Sequence, residues 1–142
     1  MVAPLFPLEV ASGLYVRGDF CLMGLRKPDR QCPNMWETPG GKVDPGEDPR
    51  DATVRELWEE LRLRVRTVRY LATAPFQWDR PVSVHLYLVE DCQDEWGHSL
   101  DQEPTCLDHA ELRWVRPAEA MARLPCSPAF YNHYSAILAA MR

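Results

Sequence analysis

Between Gly41 and Leu63 the chain sets a glycine, four glutamates, an arginine and two leucines at spacings that suit a loop followed by a helix. The pattern reads G-x5-E-x7-R-E-U-x-E-E, with U aliphatic, on Gly41, Glu47, Arg55, Glu56, Leu57, Glu59 and Glu60, and Leu63 follows. Each fixed letter has a background frequency of about 6%, so a chance match at one start is on the order of 10⁻⁷ or less. Thr53 to Leu63 holds no Gly or Pro. Val54, Leu57, Leu61 and Val65 recur at helical spacing, which predicts a helix from Asp48 to about Arg62. On it Glu56, Glu59 and Glu60 stand at i, i+3 and i+4 and share one face.

Three carboxylates on one face repel each other and weaken the helix unless something neutralises them. Acidic clusters are most often solvated faces, and a bound cation is the alternative that would relieve the repulsion. Oxygen ligands suit a hard divalent ion such as magnesium, which keeps positions open for water and phosphate oxygens. Pro39-Gly40-Gly41 and Pro45-Gly46 read as turns. Glycines there permit positive φ and a close approach to a ligand, and a turn carbonyl could add an oxygen to the ion. Asp48 followed by Pro49 is a helix start, with Asp as N-cap and Pro at N1.

At 142 residues the chain suits one domain over residues 1–142 with a real core. Its net charge of -5, without a Lys/Arg run, argues against a nucleic-acid polymer as partner. A small anionic substrate stays open, because a cation and a few local Arg or Lys can meet it. The five cysteines are widely spaced with no CxxC pair, which argues against a disulfide framework or structural zinc and for reduced thiols in the cytoplasm. No basic leader opens the chain and no stretch is long and apolar enough to span a membrane, so neither a signal peptide nor a membrane partner is expected.

Leu8–Val16 and Phe20–Leu25 read as strands joined at Arg17-Gly18-Asp19. A polar loop runs from Arg26 to Asn34, and a short strand covers Trp36–Thr38. Further strands are expected over Val65–Ala74, Ser83–Val89 and Leu112–Val115. Pro117 opens a short helix, and Pro128–Met141 reads as a final amphipathic one. Residues 91–109 are the longest irregular stretch, a length more often functional than idle. Strands and helices mix without a βαβ repeat, so the fold class is α+β or an α/β/α sandwich.

The spaced residues, with the preceding WETPGGK, resemble the Nudix hydrolase superfamily, and among its members the MutT-type nucleoside triphosphate pyrophosphohydrolases. The likeness spans almost the whole chain, from SGLYVRGDFCLMGLRK to ELRWVRPAEAM. It implies an α+β fold, an α/β/α sandwich around a mixed β-sheet. It also implies hydrolysis of a nucleoside diphosphate linked to another group, with Mg2+ as cofactor and Mn2+ able to substitute. By position, Glu56, Glu59 and Glu60 become metal ligands, joined by the Gly40 carbonyl. Glu56 or Glu60 would also orient or deprotonate water, and Arg55 would hold the carboxylates in place. Glu47 would support the loop from behind. Arg26, Gly41 and Lys42 become substrate contacts, and Phe76 and Trp78, in a Pro-flanked loop, could stack on a base or pack in the core. A late-loop acid completes many such sites. Glu103, Asp108 and Glu111 compete for it here, and Asp108, six residues before Trp114, has the best spacing. His109 beside it reads as a loop residue without a chemical role.

Two positions depart from the pattern. Arg62 stands where the family has Gly, so either it takes a left-handed conformation at some cost or the helix runs on. MutT-type enzymes that prefer oxidised guanine use an Asn near the last helix. LPCSPAF lacks it, and Asn132 is shifted. Signatures of the NADH, coenzyme A and dinucleoside polyphosphate subfamilies are missing. The expected substrate is therefore a (d)NTP, cleaved to NMP and pyrophosphate. The alternatives are ADP-ribose, a nucleotide sugar or a dinucleoside polyphosphate, or a non-catalytic Nudix ligand sensor. Monomer and homodimer both remain open.

Overall fold

Two four-stranded sheets and three helices make up the computed structural model, which describes residues 7–142. The expectations about the first six residues, including the lack of a leader, lie outside the described residues. The strands are β1 (Leu8–Leu14), β2 (Val16–Arg17), β3 (Phe20–Leu25), β4 (Trp36–Glu37), β5 (Gly40–Lys42), β6 (Val65–Gln77), β7 (Pro81–Cys92) and β8 (Glu111–Val115). The helices are α1 (Pro49–Leu61), α2 (Pro117–Arg123) and α3 (Pro128–Ala140).

One sheet runs β5-β1-β7-β6. In it β1 and β7 are parallel, from Leu8 opposite Val82 to Leu14 opposite Leu88, and the other pairs are antiparallel. The second sheet is built on β3, which pairs antiparallel with β2, β4 and β8. Alternation across the strands divides the core in two. Leu14, Met23 and Leu86 belong to one buried cluster with Phe130 and Ile137 of α3. Their neighbours Tyr15, Leu22 and Tyr87 belong to the other, with Leu57 and Leu61 of α1. Adjacent residues facing different helices set α1 and α3 on opposite sides of the strands, the layered mixed α+β arrangement expected. Among the described residues no helix is long and apolar enough to cross a membrane.

The helix expected over Asp48–Arg62 is present with both residues as its caps. The Asp48 carboxylate accepts from the Arg50 amide at 2.8 Å and Pro49 opens the first turn. At the other end Arg62 is left-handed, with φ 56° and ψ 32°, so the helix does not run on. Its guanidinium reaches back to the Trp58 carbonyl at 3.3 Å and lies over the Trp58 ring at 5.0 Å. These contacts offset part of the strain that glycine would avoid.

Several boundaries differ from the sequence reading. Leu8–Val16 is two strands, because the chain passes from one sheet to the other at Tyr15. Pro39-Gly40-Gly41 reads as a turn in the sequence, but Gly40 and Gly41, with Lys42, form β5 against Ser12, Ala11 and Val10. Its partner imposes the extended form over weak local propensity. The β6–β7 hairpin is longer at both ends than expected, so Phe76 is a strand residue and Trp78 alone of the pair lies in the turn. Long antiparallel pairing, with bulges near Thr67 and Leu71, carries the ladder through Pro75 to Gln77, past the expected end at Ala74.

Candidate active site

A cavity of about 510 Å³ lies between β1, β5, the acidic face of α1, the β3–β4 loop, residues 107–108 and the start of α3. Gly40, Gly41, Lys42, Glu56, Glu59, Glu60, Arg26, Phe76, Trp78 and Asp108 all line it. Arg55 and Glu47 stand behind this wall. Glu103 and Glu111 face elsewhere, one paired with Arg17 and the other with Arg113.

Helix α1 explains the arrangement of the acids. Thr53, Leu57, Glu60 and Leu61 are its buried stripe, so packing the leucines against the strands carries Glu60 inward with them. Glu59 falls at the exposed edge and Glu56 between the two. Glu60 is only 8% exposed, and its Oε2 has no hydrogen-bond partner among the described residues. Burial, then the neighbouring charges of Glu37, Glu56 and Asp108, push its carboxyl up to about 10. Glu56 is also raised, first by burial, against the opposing pull of Arg55.

Arg55 organises the rest. Its Nε and Nη2 form a fork on Glu47 at 2.9 Å each, its Nη1 donates to Glu56 at 2.9 Å and Glu59 at 3.2 Å, and its Nη2 also reaches the Lys42 carbonyl at 3.0 Å. The fork, with the Asp44 amide, holds the Glu47 carboxyl down to about 2. The same partners, Glu47 first, raise the Arg55 guanidinium. Charge-assisted contacts of this kind fix geometry as well as energy. One arginine thus ties the helix to the loop and strand before it.

Gly41 packs against Glu56. A Cβ there would lie 2.5 Å from the Glu56 carboxyl carbon, so any larger residue would have to displace that carboxylate. Gly24 in β3 also admits a neighbour closely, because a Cβ there would meet the His109 ring at 2.4 Å. His109, read from sequence as an idle loop residue, is 5% exposed, and its Nε2 lies 3.0 Å from Glu37 Oε2. Its Nδ1 has no partner among the described residues. Glu60, Asp108 and His109 each bring one potential ligand atom within 4.8 Å of the others. Glu37 and His109 escaped the sequence reading. The available signal for Glu37 was its place in WETPGGK, whereas nothing local marks a histidine that a glycine in another strand admits.

Arg26 lines the cavity but is largely engaged in holding the loop, with Nε donating to the Gln31 carbonyl and Nη1 to Glu37 at 3.0 Å. Phe76 and Trp78 stand with ring centroids 6.1 Å apart beside Val82 and Val84 and form the apolar end. Asn132 donates to the Pro75 carbonyl at 3.0 Å and lies outside the cavity lining.

Known proteins share this framework. The NUDIX domain model matches residues 7–135. CTP pyrophosphohydrolase of Escherichia coli is 32% identical over 123 residues, 86% of this chain and 84% of that protein. A MutT-like protein of Streptomyces ambofaciens is 31% identical over 121 residues, 85% of this chain and 71% of its own. Among solved structures, the E. coli ORF135 protein superposes with a TM-score of 0.78 at 30% identity, covering 96% of this chain and 94% of that one. A MutT NUDIX hydrolase from Burkholderia pseudomallei has a TM-score of 0.75 at 21% identity, covering 94% and 98%, and shows likeness of fold alone. On the extent of these matches the chain belongs to the Nudix hydrolases, enzymes that act on phosphoric anhydride bonds.

Proposed function

We propose that this chain is a magnesium-dependent pyrophosphohydrolase that cleaves a nucleoside triphosphate to a monophosphate and pyrophosphate. The observation that carries this reading is Glu60, a nearly buried carboxylate with an unpartnered oxygen among three other acids. An isolated buried charge is costly, and an oxygen-rich cluster opening on a cavity fits a hard divalent ion. Glu56, Glu59, Glu60, Asp108 and the Gly40 carbonyl would hold it, with Mn2+ able to replace Mg2+. When bound, the cation supplies positive charge that keeps these carboxylates ionised and stabilises charge developing on phosphate oxygens.

The protein's own groups do the rest. Arg55 keeps the carboxylates in register, and Glu47 fixes Arg55. Glu56 or Glu60 orients the attacking water and takes its proton. Lys42 and the free side of Arg26 meet phosphate oxygens. Phe76 and Trp78 offer flat apolar surface to a base. The unpaired cysteines support a reducing compartment, and we place the activity in the cytoplasm.

A panel of ribo- and deoxynucleotides assayed for phosphate and pyrophosphate release tests the reading. At least one triphosphate should yield pyrophosphate, and oxygen from labelled water should enter the pyrophosphate, since attack falls on the β-phosphorus. Cleavage of ADP-ribose or a nucleotide sugar with no triphosphate turned over would refute it.

A further inference from the structure

The cavity wall carries three cationic side chains, Arg26, Arg30 and Lys42. Two Arg26 nitrogens are already spent on Gln31 and Glu37. Lys42 is exposed and has no side-chain partner among the described residues. Arg30 differs from both. It projects from the β3–β4 loop, which left-handed Cys32 and Asn34 fold back, and the Asn34 amide closes onto the Arg26 carbonyl at 3.1 Å. From there Arg30 Nη2 crosses to Asp108 Oδ1 at 2.9 Å, on a segment 78 residues later. This ion pair joins two segments that both line the cavity.

We propose that Arg30 is a latch for the terminal phosphate of the substrate, parked on Asp108 until cation and nucleotide arrive. The inference rests on the reading of the cavity as a polyphosphate-hydrolysing site. The two side chains are 49% and 34% exposed, and an ion pair so solvated is worth little, so it exchanges readily. A guanidinium gains more from a phosphate, which accepts two parallel hydrogen bonds at higher charge. Exchange moves Arg30 onto the nucleotide and leaves Asp108 free to join Glu60. One charge pair becomes two, and the cavity stays balanced. Substrate and cation binding are thereby coupled through one arginine.

The latch gives Arg30 opposite effects on its two ligands, which a simple structural role would not. In Arg30→Gln the competitor for Asp108 is gone. Mn2+, titrated alone into the metal-free protein and followed by electron paramagnetic resonance, should bind about 3- to 10-fold more tightly. KM for the best triphosphate should rise about 10-fold or more with kcat within about 3-fold, and tripolyphosphate and pyrophosphate, which both carry the phosphate that Arg30 would hold, should weaken as inhibitors far more than the nucleoside monophosphate does. Arg30→Lys, which keeps the charge and loses the fork, should fall between. In Asp108→Asn, adding Arg30→Gln should bring no further gain in Mn2+ affinity. Unchanged tripolyphosphate inhibition in Arg30→Gln, or Mn2+ and nucleotide affinity falling together, overturns the proposal. If the wild type hydrolyses no triphosphate, the functional reading fails by itself, and the Mn2+ and tripolyphosphate titrations still decide the latch.

Discussion

Glu60→Gln should make the metal-free protein more stable, and increasingly so as the pH rises. In the unfolded chain this glutamate has its ordinary value of 4.5, whereas in the fold it is raised to about 10. Below the unfolded value both states hold the proton and the side chain contributes fully. Between the two values the unfolded chain ionises while the folded protein keeps its proton, so stability falls with rising pH. The slope is about 1.4 kcal/mol per pH unit. From pH 5 to pH 7 the wild type should therefore lose about 3 kcal/mol that the variant keeps. The full slope applies because Glu60 is 8% exposed and solvent screens it little. Other carboxylates titrate alike in both proteins and cancel in the difference. Urea unfolding in the presence of a chelator at pH 5, 6, 7 and 8 measures it. The two proteins should be nearly equal at pH 5 and diverge above it. Added Mn2+ should stabilise the wild type at pH 7 and have little effect on the variant, whose turnover should fall by orders of magnitude. A difference that does not change with pH would refute the account of Glu60 as a buried acid awaiting a cation.

Arg62→Gly removes left-handed strain of about 1–2 kcal/mol and forfeits the Trp58 contacts, so a net gain of about 0.5–1 kcal/mol is expected in the same unfolding assay. Activity should be kept, and a loss of stability would mean that the contacts outweigh the strain. Gly41→Ala drives a methyl group into the Glu56 carboxylate, which Arg55 pins, so kcat should drop about 100-fold with thermal stability in the metal-free state little changed. Near-normal turnover would show that Glu56 can retreat without cost. With Asn132 spent on Pro75, 8-oxo-dGTP should have less than about a tenfold advantage in kcat/KM over dGTP. A hundredfold preference would require another polar group at the base edge.

The Gly41–Leu63 pattern was legible because its meaning is local. Helical spacing alone sets Glu56, Glu59 and Glu60 on one face, and Asp48 and Pro49 announce the start. What sequence could not rank was their burial. Glu60 goes inward because Leu57 and Leu61 beside it are the packing stripe, and Glu59 stays out. The contacts of Arg55, Glu47 and Glu56 follow from side chains within one turn of helix and the loop before it. Glu37, His109 and Arg30 depend on pairings across 70 or more residues, which no spacing rule reaches. The switch of sheets at Tyr15 was hidden for the same reason. Continuous strand propensity says nothing about which partner each half finds.

The parallel pairing of β1 with β7 sets the order in which this site can come together. Leu8 meets Val82 and Leu14 meets Leu88, and between these strands lie the whole acidic helix and the β6 arm. During synthesis α1 leaves the ribosome well before β7 exists, so its three glutamates first form on a helix with no floor beneath them. Closing so large a loop is slow because its entropy is spent before any contact repays it. The acidic wall of the cavity is therefore expected to close late in folding, and a chain stopped short of residue 92 would carry the whole Gly41–Leu63 pattern without an enclosed site to put it in.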